Sequence, residues 1–506
     1  MLFNSPEFAF VFFPAVYLLF RLLARFRRAW LVNSLLVGAS LAFYAYWMPS
    51  ALFILLGSIL FNYFCGLRIL ARVGAGRSAG GWVALGVTGD LVLLSIFKYA
   101  GFFAQSVNDV FSVGLPVPHI LLPIGISFFT FTQIAFLVDA AAGKVKECRF
   151  LEYLLFVTYF PHLIAGPILH HAEMMPQFAK EETYRVRGEV IASGAILVAL
   201  GLIKKVLLSD GIQPYAAVLF DQQYAAAPSA LVSWMGAIAY SLQLYFDFSG
   251  YSDMAVGISL LFGVKLPFNF DSPYKARNIV DFWRRWHISL SSFLRDYLYI
   301  ALGGNRRGKA RRYVNLMLTM LLGGLWHGAA WTFVIWGGLH GAYLMLNHAW
   351  RAAKDGPLKG AAPLFRSRAY AVAAWALTMA AVVVAWVFFR ASRVEVALEI
   401  LKGMAGANGL GSAADYLRCG YVQACVDAPA VGGLRQLGLT AALLLIAVAL
   451  PNSIAISEYV RGHFSGLNRG LGWRAAFIVG AVVPLCAFAV FLTSARGVSE
   501  FIYFNF

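Results

Sequence analysis

The 38 residues 313–350 contain no Asp, Glu, Lys or Arg, and long charge-free runs recur at 29–67, 110–138, 222–246, 369–389, 436–457 and 475–495. A stretch of about 20 mostly apolar residues is long enough to cross a bilayer. In lipid, every backbone N–H and C=O must find its partner inside the protein, so such stretches fold as helices. The rest of the composition agrees. Only 13% of the chain is charged and 60% is hydrophobic, whereas soluble domains carry about 25% charged residues. Disordered chains are poor in apolar residues, which excludes that class. Five cysteines, Cys65, Cys148, Cys419, Cys425 and Cys486, are too few and odd in number for a disulfide scaffold. What remains is an all-α, polytopic integral membrane protein.

The net charge of +17 reflects Lys and Arg collecting in cytoplasmic loops beside anionic lipid, rather than nucleic-acid binding. The first apolar segment, 8–20, has its basic residues after it (Arg21, Arg25, Arg27, Arg28). That order is opposite to a cleaved signal peptide and predicts a retained span with its N-terminus outside. Alternating basic clusters follow, at Arg68, Arg72 and Arg77 and again at Lys144, Lys146 and Arg149. They predict about 11 to 13 membrane helices, with a break at residues 48–50 and a span over 120–140. Prolines at 161 and 167 make 153–172 a short or re-entrant segment. Residues 390–435, rich in glycine, are predicted as an extracytoplasmic loop, and 436–506 as C-terminal membrane helices. No internal repeat is apparent in the sequence.

Three stretches carry the candidate chemistry. In residues 281–300, Phe282, Trp286, Leu290, Phe293, Tyr297 and Ile300 recur at helical spacing. Asp281 precedes Arg285 by four, the spacing of a helical ion pair. This is either an interfacial amphipathic helix with Trp and Arg at headgroup depth, or one that also turns His287 into a water-filled cavity. Five of the seven residues 306–312 are basic, forming either a cytoplasmic anchor or a dock for an anionic donor such as coenzyme phosphates. In the run 313–350, Gly323-Gly-Leu-Trp-His-Gly328 puts His327 deep in an apolar segment. From a helix starting at Tyr313 it lies about 21 Å along the axis, past mid-membrane. An ionisable side chain at that depth is a functional-site candidate. His340 and His348 read instead as hydrogen-bonded core histidines. Asp247, following a long uncharged run, either pairs with an arginine to fix helix packing, or orients a histidine or acceptor hydroxyls. The chain has no HExxH, GxSxG, P-loop or GxGxxG pattern. His170, His171 and Glu173 make at most a weak metal motif, and no metal site is expected.

With these residues in view, the chain resembles the membrane-bound O-acyltransferase superfamily. Within it, the chain is most similar to the bacterial branch of alginate O-acetylation membrane subunits, cellulose-acetylating relatives and teichoic acid D-alanyl transfer proteins. The resemblance rests on Leu122-Pro-Ile-Gly-Ile-Ser-Phe128, Phe160-Pro-His-Leu-Ile-Ala-Gly-Pro167, Leu244-Tyr-Phe-Asp-Phe-Ser-Gly-Tyr-Ser-Asp-Met254, Phe282-Trp-Arg-Arg-Trp-His-Ile-Ser-Leu290, Asp296-Tyr-Leu-Tyr-Ile300, Leu302-Gly-Gly-Asn305 and Gly323-Gly-Leu-Trp-His-Gly328. The closing Phe501-Ile-Tyr-Phe-Asn-Phe506 is also similar to the tail of the alginate subunit. It covers most of residues 1–390, with a catalytic core at about 240–350 in a single membrane domain, 1–506.

The resemblance implies a bowl of tilted helices with a central tunnel, and two polar site residues that fall on His287 and His327, the second as general base. Trp283, Arg284, Arg285, Trp286, Trp326, Asp247, Tyr251 and Asn305 are the candidate substrate-binding residues. The implied reaction passes an acetyl group from acetyl-CoA or another cytoplasmic thioester across the bacterial inner membrane, without a bound cofactor. The acceptor would be an exported polysaccharide, alginate-like or cellulose, reached through a periplasmic acetyltransferase partner. A transporter or flippase, and a structural subunit of an export complex, are the rival readings.

Overall fold

A computed structural model describes residues 1–118, 120–164, 166–221, 227–306, 308–412, 433–465 and 473–502. Among these residues the regular structure is helical throughout. The helices are α1 (Phe13–Leu23), α2 (Ala29–Trp47), α3 (Pro49–Gly74), α4 (Gly80–Leu94), α5 (Ala100–Phe111), α6 (Ile126–Ala141), α7 (Phe150–Thr158), α8 (Phe160–Leu163), α9 (His171–Phe178), α10 (Gly188–Ile203), α11 (Asp210–Phe220) and α12 (Ala230–Leu261). They continue with α13 (Ile279–Arg285), α14 (Ile288–Phe293), α15 (Gly308–His327), α16 (Trp331–Asp355), α17 (Ala362–Phe365), α18 (Arg368–Arg390), α19 (Val394–Met404), α20 (Gly433–Ala449), α21 (Ser453–Ser465) and α22 (Trp473–Arg496). Single π-helical turns lead into α1, α5 and α11 and follow α14.

Seven described helical segments are long and apolar enough to cross a membrane, or eight if the pair α20–α21, bent by 58°, is one span. The expected 11 to 13 also counts helices that are shorter, such as α6, or that carry more polar and charged residues, such as α15. Prolines 116, 118 and 123 deny backbone donors, so residues 112–118 and 120–125 are not helical and the expected span 120–140 shortens to α6. The break expected at 48–50 is present: Met48 leaves the helical region (φ −153°, ψ 86°) and Pro49 opens α3, a position where its missing N–H costs nothing. Residues 153–172 fall on α7, α8 and the start of α9, three short helices, with Pro161 in the first turn of α8. The predicted loop 390–435 begins with α19; its residues 413–432 lie outside the described residues.

By internal packing the chain forms two compact units. The first comprises Met1–Ile203, Gly250–Phe268 and Ser453–Asn505. Its helices approach closely where side chains are small. A Cβ at Gly194 would meet Gly257 O at 2.8 Å, and one at Gly201 would meet Gly250 O at 2.5 Å, so α10 rests backbone to backbone on the C-terminal part of α12. Gly125 takes a left-handed conformation (φ 74°) with Leu163 O in the space of its Cβ, 2.7 Å away. Polar side chains in this unit bond one another: Gln133 donates to Ser58, and Asn62 to Asp90.

The second unit comprises Lys204–Ser249 and Asn269–Asn452. At its centre α15 and α16 form an antiparallel hairpin with a three-residue turn. Glycines again set the approach: Cβ atoms at Gly324 and Gly337 would sit 2.2 Å from Phe333 O and 2.3 Å from Met320 O. Both candidate histidines belong to this unit.

Candidate active site

The sequence places His327 inside a helix; the structure places it at the end of one. α15 begins at Gly308, five residues before Tyr313, and His327 is its last residue. Gly328 follows without room for a side chain, since a Cβ there would meet the Phe333 ring at 2.1 Å. Twenty residues of helix span about 30 Å, so α15 separates the ring from the basic segment at its start by about that distance. His327 is 5% exposed.

His287 reaches the same neighbourhood by a different device. The periodicity of residues 281–300 predicts one continuous amphipathic helix, but the structure breaks it at Trp286 and His287. Trp286 is extended (φ −101°, ψ 127°) and His287 is left-handed (φ 44°, ψ 56°). Residues 269–271 satisfy the exposed backbone: Asp271 N–H donates to Arg285 O, and Ile288 N–H to Asn269 O, both at 3.0 Å. The Asn269 side-chain oxygen accepts from Ser289 N–H (3.3 Å) and Ser289 Oγ (2.6 Å). One amide therefore pins the first turn of α14, and the turn ahead of it holds His287 in a conformation that non-glycine residues seldom adopt. The helical period could not reveal this break, because the apolar spacing continues across it.

The two imidazole rings end 6.4 Å apart, centroid to centroid. Aromatic side chains surround them. Trp326, Trp336 and Phe389 pack on His327 at 5.0, 5.0 and 5.2 Å. Phe248 meets His287 edge-on at 4.8 Å, and Trp326 lies 6.3 Å from it. His340 extends the cluster: it is fully buried, 4.8 Å from Trp336 and stacked with Phe282 at 6.1 Å. Sequence reasoning left His340 as a core histidine and overlooked Phe389 and Trp386, which lie about 60 residues beyond His327 in the chain.

The other candidates divide. Trp283 joins the cluster, its Nε1 donating to His340 Nδ1 at 3.2 Å. Trp286 is a buried packing residue against Phe270, Phe282 and Trp386. Arg285 makes the expected ion pair with Asp281 (3.0 Å) and a further one with Asp271 (3.5 Å). Arg284 is exposed, as is Asn305, which accepts from the Tyr299 hydroxyl. Asp247, 1% exposed, pairs with a lysine rather than an arginine: Lys205 Nζ lies 2.8 Å from it and 2.9 Å from Asp210. Tyr251 belongs to the first unit, stacked on Phe3 and edge-on to Phe501. Among the described residues no three His, Cys, Asp or Glu side chains gather as a metal site. His171 faces Asp139 at 3.1 Å instead.

The structure thus brings together a buried pair of imidazoles, one at a helix terminus and one at a backbone hinge, and comparison with known proteins gives the family of the chain. Residues 51–355 match the model of MBOAT, the membrane-bound O-acyltransferase family. The chain belongs to this family. Both histidines, the hinge and the α15–α16 hairpin fall inside the matched region. The chain is 44% identical over 437 residues to a peptidoglycan O-acetyltransferase of Helicobacter pylori, covering 81% of each protein. It is 44% identical over 411 residues to a probable alginate O-acetylase AlgI of Azotobacter vinelandii, covering 80% of this chain and 78% of the relative. A probable alginate O-acetylase AlgI of Pseudomonas putida is 37% identical over the full length of both. This member of the family is a multi-pass membrane O-acyltransferase.

Proposed function

We propose that this O-acyltransferase moves an acetyl group from a cytoplasmic thioester, acetyl-CoA, across the inner membrane to hydroxyls of an exported polysaccharide, with His327 as general base. The observation that carries the reading is the placement of His327: a buried imidazole ending a membrane-length helix, with a second imidazole 6.4 Å from it. Names of relatives support the acyl group and the acceptor class, since a peptidoglycan O-acetyltransferase and an alginate O-acetylase both place acetyl on a polysaccharide. The basic segment at the start of α15 supports an anionic donor such as a coenzyme on that side.

In this mechanism a hydroxyl gives its proton to His327 as its oxygen bonds to the thioester carbon. The carbon–sulfur bond then breaks, and the departing thiolate takes the proton back. The carbonyl end of α15 carries partial negative charge where the ring becomes a cation. His287 orients the reacting oxygen. A periplasmic partner completes delivery to the polymer. A thioester is already activated, so the chemistry needs no resident cofactor.

The test replaces His327 with Ala in the full chain, confirms insertion and folding in membranes, and measures acetyl per sugar together with the amount of polymer exported. Acetylation is expected to fall at least about 100-fold, the scale of general base catalysis, with export unchanged. Normal acetylation by the folded variant refutes the assignment, and lost export with normal acetyl content makes the chain a transporter.

A further inference from the structure

One part of the ring cluster has polar atoms that its packing does not use. His340 Nδ1 accepts a hydrogen bond from Trp283 Nε1. An indole N–H can only donate, so Nδ1 is bare and the ring proton sits on Nε2. That Nε2–H is buried, with no hydrogen-bond partner among the described residues. Trp336 Nε1–H, one helical turn away on α16, is likewise buried and unmatched. The Trp336 ring touches both the His340 ring (4.8 Å) and the His327 ring (5.0 Å). Leaving a buried donor unmatched is unfavourable, and here two remain in adjoining rings beside the proposed base.

We infer that His340 Nε2–H and Trp336 Nε1–H are the donors that hold the acyl carbonyl oxygen during transfer. As the acceptor oxygen bonds to the thioester carbon, the carbonyl π electrons move onto that oxygen, and the two N–H groups hold the resulting oxyanion. When the carbon–sulfur bond breaks, the carbonyl re-forms, the donors release it, and the thiolate leaves with the proton held on His327. Trp283 is a positioning residue in this scheme. By donating to Nδ1 it fixes the His340 tautomer that presents a proton at Nε2. The inference deepens the reading of His327 as the base and rests on it.

The test measures acetylation rate per folded protein in cells, during the first minutes after induction, so that the native donor is used. It compares His340→Phe, His340→Gln, Trp336→Phe and His327→Ala in the full chain. Removing one donor to a developing oxyanion costs about 100-fold or more in rate. His340→Phe is expected to lose about 100-fold, His340→Gln, which keeps an N–H, to recover at least about tenfold of that, and Trp336→Phe to lose at least about tenfold. Should His340→Phe fail to fold, His340→Gln and Trp336→Phe decide. A folded Trp336→Phe at wild-type rate, or a folded His340→Gln no better than His340→Phe, overturns the oxygen-holding role. Inactive His327→Ala beside fully active His340 and Trp336 variants sinks this inference alone. Active His327→Ala sinks the assignment of the base as well.

Discussion

Adjacent glycines on α16 have opposite surroundings, and that contrast makes a severe test of how the site is built. A Cβ added at Gly337 lies 2.3 Å from Met320 O, 3.0 Å from Met320 C and 3.2 Å from Leu321 Cα, all backbone atoms of α15. A Cβ added at Gly338 meets nothing nearer than Leu321 Cδ2, at 3.5 Å. Ordinary contact is about 3.5 Å, so Gly337→Ala forces α15 and α16 apart by about 1 Å. Backbone has no rotamer with which to yield. Overpacking of this kind costs about 1–3 kcal/mol, partly offset by the roughly 1 kcal/mol that Ala gains over Gly in a helix. The larger effect is on chemistry. Gly337 adjoins Trp336, which packs on His327, and a misplacement of about 1 Å can cost about 100-fold in rate. Gly337→Ala is therefore expected to lower acetylation per folded protein about 30- to 100-fold, with only a modest loss of thermal stability in detergent. Gly338→Ala is expected to keep the wild-type rate and to melt at the same temperature or slightly higher. Equal activity of the two variants would refute the argument that glycine contact sets the position of the imidazole.

Two further outcomes follow from buried polar groups. Asn269→Ala removes the acceptor for Ser289 N–H and Oγ; it is expected to cost about 1–3 kcal/mol and to lower acetylation about tenfold through loss of the His287 hinge. Unchanged melting and activity would show that the hinge holds without it. Lys205→Met takes away the cation between Asp247 and Asp210 and is expected to destabilise the fold by about 3–5 kcal/mol, read as loss of monodisperse protein on size exclusion. Adding Asp247→Asn should restore most of that loss, and failure of the double variant to recover would mean that Lys205 acts otherwise.

Much of this was legible in the residues. Long charge-free runs fold as helices where prolines do not interrupt them, because lipid offers no backbone partner, and Pro49 marks a break because it favours a first turn. Gly324, Trp326 and His327 stand out because an ionisable group in an apolar run needs a reason. What stayed hidden is non-local. The amphipathic period of 281–300 runs unbroken through His287, and the cause of the bend, Asn269, lies in a different segment. His340 has an ordinary local context, and its tautomer depends on Trp283, 57 residues earlier. Lys205 could not be matched to Asp247 from spacing alone, since the two sit on separate helical segments.

The left-handed backbone at residue 287 bears on how any replacement there must be interpreted. Alanine deletes the imidazole and, with the same stroke, penalises the local conformation, so a drop in rate would confound the two causes. Asparagine tolerates positive φ far better than most side chains and offers an amide in place of the ring. It is the substitution that isolates the chemistry of that position from its geometry.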